Sequence, residues 1–230
     1  MHIPDGYLGP PTYLGTYAVC VPLWAMAARR LRERLSARRV PLLAISAAFS
    51  FLVMMFNIPL PGGTTGHAVG GVLIAIAVGP WGAMLSITIA LVIQALLFGD
   101  GGVTAIGANC FNMAFIMPFT GYGVYRLLSR FPSSEKGKAL TAGIAGWVGL
   151  NAAAFSTALM FGIQPLLHTG ADGRPLYAPY PLSVAIPAMM LGHLTLAGAA
   201  EGLITGLAVY SLRRSKTAWV MQTVAEERAP

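Results

Sequence analysis

Residues 67–98 read HAVGGVLIAIAVGPWGAMLSITIALVIQALLF, an apolar run with no acidic residue, lysine or arginine. How often this run crosses a membrane decides the fold. As one helix it would measure about 46 Å at 1.5 Å per residue, too long for a hydrocarbon core of about 30 Å. Gly79-Pro80 interrupts it, and two short, tilted spans joined by a cytoplasmic turn at Gly79-Pro80-Trp81 fit better. Charge provides a check. With two crossings, Asp100 faces outside and the later basic loops face inside. With one crossing, Arg126, Arg130, Lys136 and Lys138 would lie outside, against the preference of Lys and Arg for the cytoplasmic side.

Outward from this run the same pattern repeats. The chain has 230 residues, 56% hydrophobic and only 10% charged, with a mean hydropathy of +0.67. That is the composition of a polytopic membrane protein, not a soluble domain. Apolar spans are expected near 13–28, 40–58, 104–128, 139–163 and 182–210, in addition to the two above. The net charge of +7 does not indicate nucleic acid, because the basic residues cluster at span ends. RRLRERLSARR, with Arg29, Arg30, Arg32, Arg34, Arg38 and Arg39, anchors the first loop in the cytoplasm. Under seven spans, Arg174 is the only one of the 15 Lys and Arg residues left outside. The expected fold is therefore an all-α bundle of about seven transmembrane helices in the cell (inner, cytoplasmic) membrane, amino terminus outside and carboxyl terminus cytoplasmic. It is read as one domain: tail 1–12, helical bundle 13–212 and cytoplasmic tail 213–230. Cys20 and Cys110 lie in apolar runs and read as small buried hydrophobes.

The opening stretch MHIPDGYLGP (1–10) carries the chemistry. It has no basic n-region, and its prolines and glycines break any apolar run, so it does not read as a signal peptide. The start as written is read as the mature end, with a free α-amine on Met1. A histidine at position two allows the α-amine, the backbone nitrogen between Met1 and His2, and the near imidazole nitrogen to chelate one metal ion. They close five- and six-membered rings and place three nitrogens in a plane. A fourth nitrogen would complete a square-planar site, the geometry suited to Ni(II) or Cu(II). The competing reading of His2 is a residue of a frayed terminus. His67 follows the irregular loop NIPLPGGTTG on the same side as Met1 by span parity, and supplies the side-chain nitrogen that the tail lacks. The glycines of AVGG after it permit close backbone approach.

MHIPDGYL at the start, GGTTGH at His67, and FGDGG…TAIGANCFNMAF over 98–115 together resemble the CbiM/NikM family. This is the nickel- or cobalt-binding S component of energy-coupling factor (ECF) importers. The resemblance covers about residues 1–212, and MHIPDG is its most specific part. It implies a six-helix S-component core plus an extra N-terminal helix. It assigns metal ligation to Met1, to the amide and imidazole of His2, and to His67. It implies Ni(II) as transported ligand, with Co(II) feeding cobalamin synthesis as the alternative, and the IPDG wording is closer to the nickel branch. Its small-residue coupling pattern falls on Ala44 and Ala48. It implies no cofactor, and as partners a transmembrane coupling (T) protein, ABC-type ATPase subunits and a small accessory membrane subunit.

Other residues have two readings each. Asp100 either steers cations and orients a ligand histidine or is a turn residue before paired glycines. Asn109 and Asn112, three apart on one helical face, either brace the inserted tail or cross-link helices. Gly143, Gly146 and Gly149 form a smooth ridge for close helix packing. His168 reads as solvated, or as a metal-capturing lip. His193 is a reserve ligand, and Glu201 contacts the coupling subunit or pairs with a neighbour. The chain has no GxxxxGK[ST] phosphate loop, so it is not itself the motor, and no HExxH or GxSxG, so it is not read as an enzyme. A self-sufficient secondary transporter or channel is the alternative of another class. It needs ionisable groups along a midplane path, for which only His193 and Glu201 qualify.

Overall fold

The computed structural model describes residues 1–33, 39–60 and 64–215. Arg34 and Arg38 of the first basic loop, Pro61 to Gly63 of the loop before His67, and Lys216 and Arg228 lie outside these residues. Helix α1 spans Pro10–Arg32. It starts three residues before the expected span because Pro10 and Pro11 occupy its first turn, where proline is pre-organised for a helix. Arg29, Arg30 and Arg32 close it, cations at the negative end of the helix dipole. Helix α2 is Arg39–Met54. A short hairpin follows, with β1 (Ile58–Leu60) antiparallel to β2 (Thr64–Gly66) and Ile58 opposite Gly66.

The long apolar run divides where expected. Helix α3 is Gly71–Val78 and α4 is Pro80–Ile93, separated by Gly79 at φ +83°. Pro80 starts the second helix, and Gly79 takes a backbone conformation open mainly to glycine. Arg30, at the end of α1, stacks on Trp81 at 4.8 Å, so this turn sits at the end of the bundle away from the amino terminus. The third crossing differs from a simple span. Its helix has only eight residues, about 12 Å long, and the preceding residues 67–70 are non-helical yet fully packed inside. Non-helical backbone is stable at membrane depth only when protein satisfies its polar groups.

Three helices carry π-helical turns: Gln94–Phe98 at the end of α4, Cys110–Ile116 between α5 (Ile106–Asn109) and α6 (Met117–Leu128), and His193–Ala197 between α9 (Leu182–Gly192) and α10 (Gly198–Arg214). Helix α7 (Glu135–Gly162) is capped by Ser134, whose hydroxyl accepts from the Gly137 N–H at 3.1 Å, and leads into the single turn α8 (Gln164–Leu167). Counted as continuous rods, seven helices result among the described residues. Of these, 80–98, 135–167 and 182–214 are long and apolar enough to cross a membrane by length and composition.

The glycine ridge on α7 packs two ways. A Cβ on Gly143 would lie 2.9 Å from the Gly202 carbonyl oxygen, and one on Gly146 2.9 Å from Thr205 Oγ1, so α10 lies directly against the ridge. A Cβ on Gly149 would instead meet Val72 and Met117, on α3 and α6. Large apolar side chains such as Ile45, Leu52, Leu140, Leu203 and Leu207 face outward, as lipid-facing surfaces require. Ala44 and Ala48 are both exposed on α2, while Ala47 is buried.

Candidate metal centre

The first nine residues do not fray. They enter the bundle and are held almost residue by residue. The Met1 amine donates to the Thr65 carbonyl at 2.8 Å, on β2. Ile3 is clasped twice by Asn109: its N–H donates to Oδ1 at 2.8 Å, and its carbonyl accepts from Nδ2 at 3.1 Å. The Ile3 carbonyl also accepts the Gly102 N–H at 2.8 Å. Asp5 accepts from the Val103 and Thr104 N–H groups at 3.0 and 2.8 Å, and from the Thr104 hydroxyl. These bonds, the hydroxyl first, hold its carboxyl below the usual carboxylate range. Tyr7 O accepts from the Ala178 N–H at 3.1 Å, and the Gly9 N–H donates to Gln164 Oε1 at 2.9 Å. Met1, Ile3 and Leu8 are buried. Burying apolar side chains and pairing the backbone of Met1, Ile3, Tyr7 and Gly9 together offset the entropy of ordering the tail.

The paired glycines after Asp100 make this approach possible. Gly101 has φ +92°, and a Cβ on Gly102 would lie 2.4 Å from the Asp5 backbone nitrogen. Asp100 itself reaches the His2 ring, Oδ1 to Nδ1 3.3 Å. It is thus both the turn residue and the partner of the histidine.

Met1, His2 and His67 come together. The His2 and His67 rings stack with centroids 4.7 Å apart and planes 22° from parallel. The α-amine is fully buried, which lowers its pKa to about 5 despite the opposing pull of Asp100. Burial, then the nearby amine, lowers the His2 imidazole to about 3. Burial raises Asp100, with the amine opposing. At neutral pH the amine and the imidazole of His2 therefore carry free lone pairs. His67 Nδ1 bonds to the Ala68 carbonyl at 3.1 Å, while the Nε2 atoms of both His2 and His67 are buried without a hydrogen-bond partner. Orphaned buried nitrogens are rare and require an explanation. The near nitrogen of His2, the one a chelate with the amine and amide would need, faces Asp100, so chelation would require the ring to trade that contact for the metal. Among the described residues no group of three or more His, Cys, Asp or Glu side chains is placed to hold a metal ion.

Other candidates are distributed differently. Asn109 braces the tail, whereas Asn112 donates to Met160 Sδ at 3.5 Å and leaves its oxygen unpartnered. His168 packs its ring on Gly9 and edge-on to Tyr177. Glu201 is fully buried, which places it inside the bundle and not on a surface that meets another subunit. Its Oε2 accepts the N–H groups of Val69 and Gly70 at 2.8 and 2.9 Å, and so satisfies the non-helical segment that carries His67. Gln94 and Gln164 were missed in the sequence. A lone amide in an apolar helix is the signal for Gln94, the same one that marked Asn109.

The chain is 51% identical over its whole length to the "Fused nickel transport protein NikMN" of Rhodobacter capsulatus, of whose length it spans 65%. It is 44% identical over 97% of its length to the "Probable fused nickel transport protein LarMN" of Lactiplantibacillus plantarum, spanning 67% of it. A solved "transition metal transporter" matches with a TM-score of 0.91 and 51% identity, covering 100% of both chains. Residues 2–219 match the family described as the cobalt uptake substrate-specific transmembrane region, CbiM, and the chain, a multi-pass membrane protein, belongs to that family of metal transport proteins, which are not enzymes.

Proposed function

We propose that this chain is the substrate-binding (S) component of an ECF-type, ATP-driven importer, and that its cargo is Ni(II), with Co(II) the alternative. The observation that carries this reading is the buried α-amine beside two stacked imidazoles with unpartnered Nε2 atoms. Met1 contributes its amine, His2 its amide and imidazole, and His67 the fourth nitrogen. Four nitrogens in a plane favour low-spin Ni(II). Cu(II) binds such donors at least as well, so selectivity also depends on which metal is available. Asp100 steers the cation and orients His2, and Asn109 fixes the tail; Asn112 lines the same helix.

In this reading the amino terminus is outside and the carboxyl terminus cytoplasmic. Residues 1–12 form the metal-binding tail, 13–212 the bundle and 213–230 the cytoplasmic tail. The chain carries no phosphate loop, so ATPase subunits supply energy through a transmembrane coupling protein, aided by a small accessory subunit. The exposed, small Ala44 and Ala48 offer that coupling protein a close-packing face. His67→Ala leaves three protein nitrogens. Nickel titration of the purified variant is expected to show strongly weakened binding, and unchanged affinity would refute the ligand set.

A further inference from the structure

His193 has the same construction as His67 and no assigned task. It is fully buried. Its Nδ1 lies 2.8 Å from the Met189 carbonyl. That bond sets the tautomer and leaves the Nε2 lone pair free, the arrangement typical of metal-ligating imidazoles. Nε2 has no hydrogen-bond partner, a loss that helix packing alone does not repay. The residue opens a π-helical turn, a feature that recurs at functional sites. That turn packs against β2, the strand whose Thr65 carbonyl holds the Met1 amine and which leads directly into His67.

A planar site of three tail nitrogens and one imidazole has no vacancy for His193. Yet the tail supplies three of the four donors on one segment. When it lets go, His67 alone would face a divalent ion. We propose that His193 Nε2 and His67 Nε2 form a two-imidazole transfer site that receives the Ni(II) or Co(II) ion as the tail withdraws. This rests on the function proposed above. In the transfer His193 Nε2 replaces one of the three tail nitrogens and solvent water fills the other coordination positions, with the protons returning to the amide and amine of the departing tail. No oxidant or reductant is involved.

The test uses the full chain with His2→Ala, which removes the imidazole arm of the chelate, and Co(II) or Ni(II) alone as probe. His2→Ala is expected to bind weakly, and His2→Ala/His193→Ala at least about tenfold more weakly still, the loss expected of one donor in two. His2→Ala/His193→Cys keeps a donor at this position and guards against misfolding. With Co(II) it is expected to show a thiolate-to-metal charge-transfer band in the near ultraviolet. Equal affinity with and without His193, or a folded Cys variant lacking that band, would overturn the transfer site. Wild-type affinity in His2→Ala would instead overturn the planar site itself, so the two failures are distinguishable.

Discussion

Glu201 offers the sharpest test of how the His67 segment is held. Its Oε2 accepts two backbone N–H groups, from Val69 and Gly70, where residues 67–70 and Glu201 are all buried. Glu201→Ala deletes the only acceptor that the described residues give these donors. An unsatisfied buried N–H costs about 1–3 kcal/mol, so the pair costs about 2–6 kcal/mol. The lower bound is worth about thirtyfold in an equilibrium constant. The segment is expected to relieve that cost by shifting, which carries His67 away from His2. Glu201→Gln keeps a carbonyl oxygen where Oε2 now accepts both bonds, and Thr205 Oγ1, 3.4 Å from the other oxygen, can accept from the new amide. Nickel titration of the purified variants separates the cases. Glu201→Ala should bind at least about thirtyfold more weakly, and Glu201→Gln within about fivefold of wild type. If Ala binds like wild type, the carboxylate does not hold the segment. If Gln is as damaged as Ala, charge and not hydrogen-bond acceptance is what matters.

Gly102→Ala puts a Cβ 2.4 Å from the Asp5 backbone nitrogen, so the tail must leave; nickel binding is expected to be lost while helical content by circular dichroism is unchanged, and retained binding would show that the tail docks elsewhere. Proton release tests the buried amine. Docking lowers its pKa from 8.0 to about 5, so the docked tail is disfavoured progressively as pH falls from 8 toward 5, and its stability is complete only above the free-amine value. With the amine and the His2 imidazole already neutral at pH 7, metal binding should release about one proton, from the amide, where a free tail would release about two. Titration in two buffers of different ionisation enthalpy measures this number, and a value near two at pH 7 would mean that the amine is not buried before metal arrives.

Much of the bundle was legible because membrane spans obey simple limits of length and charge. The division of 67–98 followed from its length and from Gly79-Pro80, and the α7 ridge from glycines three residues apart. The eight-residue α3 was not legible. What lets its non-helical approach stay buried is Glu201, 132 residues from Val69 in sequence, and no local pattern announces such a partner. The π-helical turns were equally invisible, since one extra residue per turn barely disturbs an all-apolar sequence. At the site, Met1, His2 and His67 stood out because a histidine in second position has a definite chelate chemistry, and the structure brings them together. The docking of the tail was only half visible. Asp5 with Thr104, and Gly9 with Gln164, are long-range polar pairs whose residue types are ordinary in loops. Asn109 was flagged as a buried amide, but only the fold shows that it clasps Ile3.

The central claim is that the α-amine of Met1 is a metal ligand. The direct measurement is a nickel titration, with metal content, on two purified forms: one whose chain starts at Met1 and one carrying a short N-terminal extension. The extension removes the free amine and cannot fit where that amine lies buried against Thr65. The account predicts a single Ni(II) per native chain and none on the extended form. Equal binding by both would contradict it, and would move the metal away from the amino terminus to the histidine side chains.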